Sequence, residues 1–175
     1  SKAFLYVYRF LIPKICKNSK KIITVSDFSK QEIIKYYKTK TDKIQVIYNA
    51  VNDGFIYNEN IELKNQKYFL AVSSLNYRKN LPFVLDSFIE FIKDCPDYKL
   101  YLIGGMDTKS FSKLNLSKYT NHPNIIFLGR VSDEDLILYY SNAVAFIYPS
   151  LYEGFGIPPL EAQKCGTPVI LSNLS

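Results

Sequence analysis

From Lys67 onward the sequence alternates between short apolar runs and longer segments with helical spacing of their apolar residues. Strands are predicted at residues 68–72, 101–103, 125–128, 143–147 and 168–171, and helices at 81–92, 110–119, 133–140 and 159–164. Such alternation is typical of parallel strands joined by right-handed helical crossovers. It predicts an α/β fold with a Rossmann-like parallel sheet and helices on both faces.

The glycines of this part of the chain follow the predicted strands. Six of the seven glycines come after residue 103, and most stand just beyond a predicted strand: Gly104, Gly105, Gly129, Gly154 and Gly156. Ligands of open parallel sheets bind at the carboxyl ends of the strands, where glycine lets the backbone approach them closely. A ligand site is therefore predicted at this edge of the sheet.

The first 66 residues have a different pattern. Residues 1–50 predict helix, strand, helix, strand, with strands at 21–25 and 44–47. Ser29 and Glu32 match a capping box that opens the second helix, which extends to about Tyr37. Residues 51–66 are polar and patternless, which predicts a linker between two domains. The chain starts with Ser1 and ends shortly after an apolar run, so we expect both ends to be cut from a longer protein.

Composition excludes several classes of site. Three widely spaced cysteines and a single histidine provide neither a disulfide framework nor a zinc set, so we expect a reducing, cytoplasmic setting and no bound metal. The Asp133-Glu134-Asp135 triplet imitates a D-x-D metal motif, but it follows Ser132 at the start of an apolar helix, which is ordinary capping. The apolar segment 3–16 is shorter than the roughly 20 residues of a membrane-spanning helix.

Positive charge is concentrated at the front of the chain. Residues 1–50 carry eleven Lys and Arg against three acids, so this part has a net charge of +8 while the whole chain has +6. A basic surface with aromatic residues can contact anionic lipid or nucleic acid. A solvated helix face explains the same residues, and the sequence leaves both interpretations open.

The most informative stretch begins at Tyr148, where a predicted strand runs into a glycine-rich loop and a helix. Pro158 and Pro159 have no amide hydrogen, so an anion at this helix start must use the amides before them, with the helix dipole behind. Those amides belong to Gly154, Phe155, Gly156 and Ile157. Glutamates flank the loop at Glu153 and Glu161, the latter expected in the first helical turn, and carboxylates suit the hydroxyl pairs of a sugar or ribose.

Residues 153–161, EGFGIPPLE, followed by CGTPVI at 165–170, resemble the E-x7-E region of glycosyltransferase family 4. The resemblance implies a GT-B fold, of which this chain holds the C-terminal half, and a retaining sugar transfer. It further implies that Glu161 binds the donor ribose and that Glu153 lies near the transferred sugar. Residues 1–50 would then end the N-terminal Rossmann-like domain, and 67–175 would be a nucleotide-sugar-binding domain truncated at its C-terminus.

Other segments resemble the same family in the same order. SSLNYRKN at 73–80 is similar to its strand-then-basic loop, in which Lys79 would contact the donor diphosphate. GRVS at 129–132 resembles its nucleobase-contacting turn, which implies donor contacts from Arg130 and Val131, and 47–51 resembles its interdomain crossing. Ser73 stands at the donor-site position where many members have an arginine, so Arg78 is expected to supply the second positive charge.

The resemblance implies transfer of a hexose or deoxyhexose from a nucleoside-diphosphate sugar to a glycan or lipid-linked glycan acceptor, in cell-surface polysaccharide synthesis. The expected catalytic residues are Glu153, Lys79 and Arg78, with no cofactor and no metal. We expect a cytoplasmic enzyme with peripheral membrane contact and no nucleic-acid partner. Two alternatives are a nucleotide-sugar epimerase of the same fold and a basic nucleic-acid-binding α/β domain.

Overall fold

A computed structural model of the chain describes residues 2–72, 76–105 and 116–173. These residues fall into two units that divide between Ala50 and Val51. No helix in the described ranges is both long enough and apolar enough to cross a membrane.

The first unit has the predicted order of helix, strand, helix and strand. Its elements are α1 (Lys2–Asn18), β1 (Ile22–Thr24), α2 (Asp27–Tyr37) and β2 (Ile44–Val46), and the two strands pair in parallel.

The predicted capping box of α2 is wrong, although the helix ends at Tyr37 as expected. The capping residue is Ser26, whose backbone is extended and whose hydroxyl accepts a hydrogen bond from the Ser29 amide at 3.0 Å. Strand β1 stops at Thr24 and the helix begins three residues later at Asp27, so Ser29 already lies inside it.

The second unit is built around one parallel sheet. Its helices are α3 (Ile61–Lys64), α4 (Leu81–Phe91), α5 (Asp133–Asn142) and α6 (Ile157–Lys164), and its strands are β3 (Tyr68–Val72), β4 (Lys99–Ile103), β5 (Ile125–Gly129), β6 (Ala145–Tyr148) and β7 (Val169–Leu171). The strand order is β5-β4-β3-β6-β7, all parallel. The predicted α/β fold class is confirmed. Of the predicted helix at 110–119, residues 110–115 lie outside the described ranges and 116–119 form a 3-10 turn.

Side chains of β3 alternate between the two faces of this sheet, as the pleat of a strand requires. Tyr68 and Leu70 pack into one core cluster, together with Phe146 from β6. Ala71 and the partly buried Phe69 pack into the other cluster, against α4. Both faces of the central strand are therefore covered, which is why the run Tyr68–Val72 is apolar throughout.

The predicted linker at 51–66 is less featureless than its sequence indicates. Phe55 is buried in the core of the second unit, with its ring centroid 6.3 Å from that of Tyr140. The buried amide of Asn142 accepts from the Asn60 backbone at 2.9 Å and donates to the Asn58 carbonyl at 3.0 Å. An aromatic side chain and a distant amide thus help to fix a segment that has no periodic pattern of its own.

The strand order determines where a ligand can bind. From the central strand β3 the chain moves outward through β4 to β5, then returns to the other side of β3 as β6 and β7. The connections reverse direction between β3 and β6, and such a switch point opens a crevice at the carboxyl ends of the two strands. The loops that follow β3 and β6 carry Lys79 and Glu153.

Candidate functional site

Lys79 lies in a short, well-defined turn between β3 and α4. Residues Tyr77–Lys79 form one turn of 3-10 helix, and the Asn76 side chain caps it by accepting a hydrogen bond from the Arg78 amide at 3.1 Å. Asn80 follows with φ 53° and ψ 36°, a left-handed conformation that asparagine tolerates better than most residues. The turn therefore places Lys79 at a fixed position directly before α4.

The ammonium group of Lys79 contacts the loop after β6. Its Nζ donates to Glu153 Oε1 at 2.7 Å and also to the hydroxyl oxygen of Tyr148, the last residue of β6. The same Nζ lies 4.5 Å from the centroid of the Tyr148 ring. The side chains of Lys79 and Glu153 are only 17% and 19% exposed, so water screens this pair weakly.

The environment shifts the acidity of both partners of Lys79. Burial alone would raise the pKa of Glu153, but the hydrogen bond and positive charge of Lys79 outweigh it, so this pKa is lowered. Burial raises the pKa of the Tyr148 hydroxyl, and Lys79 only partly opposes that shift. At neutral pH Glu153 is therefore a carboxylate and Tyr148 is a neutral phenol.

The loops after β3 and β6 are also joined through Arg78. The Leu151 amide donates to the Arg78 carbonyl at 2.7 Å, and Arg78 Nη1 lies 3.5 Å from the Tyr152 carbonyl oxygen. Together with the ion pair of Lys79 and Glu153, these contacts hold the two sides of the switch point in a defined register. The structure therefore brings three of the predicted residues together: Arg78, Lys79 and Glu153.

The glycine-rich loop runs into α6 at Gly156. Gly156 has φ 86° and ψ 67° and is the N-cap, so α6 begins at Ile157 and includes both following prolines in its first turn. The predicted start at Pro159 is wrong, because proline fits the first turn of a helix, where amide hydrogens have no intrahelical partner. Glu161 consequently lies in the second turn of α6 rather than the first. Gly154 and Phe155 are partly buried in the loop before it.

Glu161 has a different set of contacts from Glu153. Its Oε2 accepts a hydrogen bond from the hydroxyl of Tyr140 on α5 at 3.3 Å. Burial raises the pKa of Glu161, Tyr140 partly opposes this shift, and the negative charge of Asp133 adds to it. The two glutamates of the motif are therefore shifted in opposite directions.

The turn after β5 places Arg130 against the turn after β4. A Cβ atom added at Gly105 would lie 3.2 Å from Arg130 Nε, so the missing side chain of Gly105 leaves room for this guanidinium. Val131 packs against the core cluster on one face of the sheet. Ser73, the remaining residue predicted at the donor site, lies outside the described residues.

The interpretation of Asp133 to Asp135 as a helix start is confirmed. Ser132 is the N-cap of α5, and its hydroxyl accepts from the Asp135 amide at 3.1 Å. All three acidic side chains are exposed in the first turn. Negative charge there is favourable to the helix dipole without any ligand.

Sequence reasoning missed two tyrosines of this site. Tyr148 and Tyr140 are both buried, and neither is among the predicted site residues. Both do pack in the core, and each also directs its hydroxyl to a predicted site residue. The position of Tyr148 at the carboxyl end of a strand, next to the glycine loop, was the available signal.

Solved structures with the same fold were found among glycosyltransferases. One is Anabaena Alr3699/HepE in complex with UDP and glucose, with a TM-score of 0.75, 18% identity, and coverage of 100% of this chain and 49% of that chain. Another is a glycosyltransferase from Rickettsia africae, with a TM-score of 0.70, 24% identity, and coverage of 100% and 49%. At these identities the likeness concerns the fold, and it agrees with the predicted GT-B architecture.

Sequence relatives are more similar. The chain is 38% identical to the O-antigen chain mannosyltransferase RfbU of Salmonella typhimurium over 95% of its own length and 46% of the relative. It is 35% identical to O-antigen chain mannosyltransferase B of Escherichia coli over 90% of its length and 44% of the relative. The chain thus spans about half the length of these curated relatives.

The family described as Glycosyl transferases group 1 matches residues 55–175, and the family described as Glycosyltransferase Family 4 matches residues 1–55. The resemblance drawn from the E-x7-E motif is confirmed. This chain belongs to the group 1 glycosyl transferases.

Proposed function

We propose that the protein transfers a sugar from a nucleoside-diphosphate donor to a glycan acceptor in polysaccharide synthesis, with retention of configuration. The two relatives reported above are O-antigen chain mannosyltransferases, which supports mannose as the transferred hexose. Their names do not favour an epimerase or a nucleic-acid-binding domain. The acceptor in this proposal is a lipid-linked glycan, reached from the cytoplasmic side by an enzyme in peripheral contact with the membrane through its basic front.

One observation carries the proposal: an ammonium group fixed at the switch point of the sheet, between β3 and β6. Lys79 has three N–H donors, of which Tyr148 and Glu153 accept two. The third can point to a phosphate oxygen of the donor. When the bond between the sugar and the diphosphate breaks, negative charge grows on that oxygen. A cation already held in place stabilises it without a reorganisation cost.

The remaining predicted residues have complementary parts in this proposal. Arg78 provides the second positive charge beside the diphosphate, and the backbone at Gly154, Phe155, Gly156 and Ile157 faces it from the start of α6. Glu153 holds Lys79 and accepts hydrogen bonds from hydroxyls of the transferred sugar. Glu161 accepts from the donor ribose, while Arg130 and Val131, with Ser73, contact the nucleoside. The proposal requires no metal and no cofactor.

The test is calorimetric titration of the protein with nucleoside diphosphates. We expect Lys79→Ala and Glu161→Ala each to weaken binding at least tenfold, which corresponds to about 1.4 kcal/mol. Lys93→Ala is the matched control, because Lys93 is an exposed lysine two residues beyond α4 whose side chain pairs with exposed Glu90. A crossover helix runs back toward the amino ends of the strands, so α4 ends away from the predicted site. Unchanged affinity in both site variants, or equal loss in the control, would refute the site.

A further inference from the structure

The first unit contains a cavity that the proposed transfer does not use. It lies between the end of α1, the end of α2 and the turn before β2, and its volume is about 490 Å³. Its lining residues are Pro13, Cys16, Lys17, Tyr37, Lys38, Thr39, Lys40 and Lys43. Each lining segment precedes a strand of this unit, so the cavity is at the amino ends of β1 and β2.

Positive charge dominates this cavity. Four of its eight lining residues are lysines and none is acidic. Within the described part of the chain, none of these four lysines forms an ion pair with a carboxylate. Lys43 does have a structural task, since its Nζ donates to the Lys17 carbonyl at the end of α1, at 3.0 Å.

Helix ends explain part of this charge but not all of it. Cations are favourable near the C-terminus of a helix, which accounts for Lys17 in the last turn of α1. Lys38 is the C-cap of α2, and Lys40 lies beyond that helix altogether. Several like charges around one cavity repel one another, so their convergence favours an anionic ligand.

Thr39 provides an independent observation. It is only 9% exposed, and its Oγ1 is buried without a hydrogen-bond partner among the described residues. A buried hydroxyl without a partner costs free energy, and such groups are rare in folded proteins. Thr39 lines the cavity between Lys38 and Lys40, so an anion that the lysines attract would bind beside this unpartnered hydroxyl.

We propose that this cavity binds a phosphate-bearing organic molecule. Lys17, Lys38 and Lys40 neutralise the phosphate, and the Thr39 hydroxyl donates a hydrogen bond to one of its oxygens. The volume falls in the range of about 300–1,000 Å³ that is typical of small-molecule sites. Pro13 and Tyr37 offer apolar surface to the body of the molecule. The phosphate belongs either to a free phosphate ester or to a lipid headgroup, and both share this chemistry.

The test uses NMR titration of the ¹⁵N-labelled protein with phenyl phosphate and with inorganic phosphate. All measurements are made in a Lys79→Ala background, so that binding at the proposed donor site does not contribute. We expect saturable shifts of the amides of residues 38–40. Thr39→Val and Lys40→Ala should each weaken binding at least tenfold, whereas Thr39→Ser, which keeps the hydroxyl, should retain it. Lys20→Ala is the matched control, because Lys20 is an exposed lysine outside the cavity.

A second measurement distinguishes the two sources of phosphate. The same variants are floated with vesicles of phosphatidylglycerol and, for comparison, of phosphatidylcholine. Binding of phenyl phosphate in solution supports a free ester. Binding only to phosphatidylglycerol vesicles, lost in Thr39→Val, supports a lipid headgroup. The proposal fails if neither measurement responds to Thr39→Val, or if Lys20→Ala and Lys40→Ala lose binding equally, because diffuse charge would then explain the result.

Discussion

Replacement of Lys79 by methionine removes the charge that pairs with Glu153 and keeps most of the aliphatic side chain. At the observed 2.7 Å, two opposite charges attract by about 6 kcal/mol if the effective dielectric constant is about 20. Desolvation of each ion costs several kcal/mol and cancels much of this attraction. Fully exposed pairs are worth about 0–1 kcal/mol, and loss of one partner from a buried pair costs about 3–5 kcal/mol.

The Lys79–Glu153 pair lies between these limits, because its side chains are 17% and 19% exposed. We expect Lys79→Met to lower the free energy of unfolding by about 2–3 kcal/mol at pH 7. Glu153→Gln should cost less, about 1–2 kcal/mol, because the amide oxygen still accepts from Lys79. The double variant should cost less than the two single changes together, by a coupling energy of about 1.5 kcal/mol.

The assay is urea unfolding followed by far-UV circular dichroism, since the chain has no tryptophan. A second series at lower pH tests the charge directly. The folded-state pKa of Glu153 lies below its ordinary value of 4.5, so the unfolded chain binds its proton first as pH falls. The stabilisation is therefore complete above about pH 4.5 and is lost as pH falls through the lower folded-state pKa. Glu153→Gln should lack this part of the acid sensitivity.

Two results would refute this reasoning. A coupling energy below about 0.5 kcal/mol at pH 7 would mean that the pair behaves as an exposed one. Equal acid sensitivity of the original protein and Glu153→Gln would mean that Glu153 is not held ionised by Lys79.

Other residues allow further tests. Gly156→Ala should destabilise the protein by about 1–2 kcal/mol in thermal unfolding. A Cβ atom at this position meets nothing within 4 Å, so the cost is the backbone strain of an alanine at φ 86°. Unchanged stability would contradict the left-handed conformation of this cap. Asn142→Ala should lower the free energy of unfolding by about 2–3 kcal/mol. It should also increase amide hydrogen exchange at residues 58–60, because the Asn142 side chain binds the backbone there. Unchanged exchange would show that other contacts fix this segment. Tyr140→Phe should raise the pKa of Glu161 further, measured by carboxyl ¹³C NMR, because the lost hydroxyl hydrogen bond favours the ionised form.

Periodicity was sufficient for the central strand of the second unit, because its residues meet the core on both faces. The run from Tyr68 to Val72 is predicted and observed with the same bounds. Ser29 shows where local pattern fails. Its S-x-x-E spacing imitates a cap, but the cap depends on which residue has extended backbone, and that residue is Ser26. The end of β1, rather than the motif, decides where α2 begins.

The candidate site was predictable in its residues but not in its contacts. The E-x7-E spacing leads to Glu153 and the basic loop at 73–80 leads to Lys79, and these two residues are 74 positions apart. That Tyr148 is the second acceptor for Lys79 depends on β6 lying beside β3, and the strand order cannot be read from alternation alone. Tyr140 reaches Glu161 for a similar reason, because that contact depends on α5 and α6 lying side by side in the folded unit.

The opposite pKa shifts of the two glutamates separate their chemistry. Glu153 is held ionised by a cation, so it is a poor proton donor, and most of its charge is already engaged by Lys79. A carboxylate engaged in this way positions its neighbours and is a weak nucleophile, because attack would require it to leave the ion pair. Within the described residues Glu161 forms no ion pair with a cation, and burial raises its pKa. Environments that shift the pKa values of two carboxyl groups in opposite directions indicate that the two groups have different tasks. In the proposed transfer, Glu153 holds the cation for the leaving diphosphate and Glu161 binds hydroxyls of the donor.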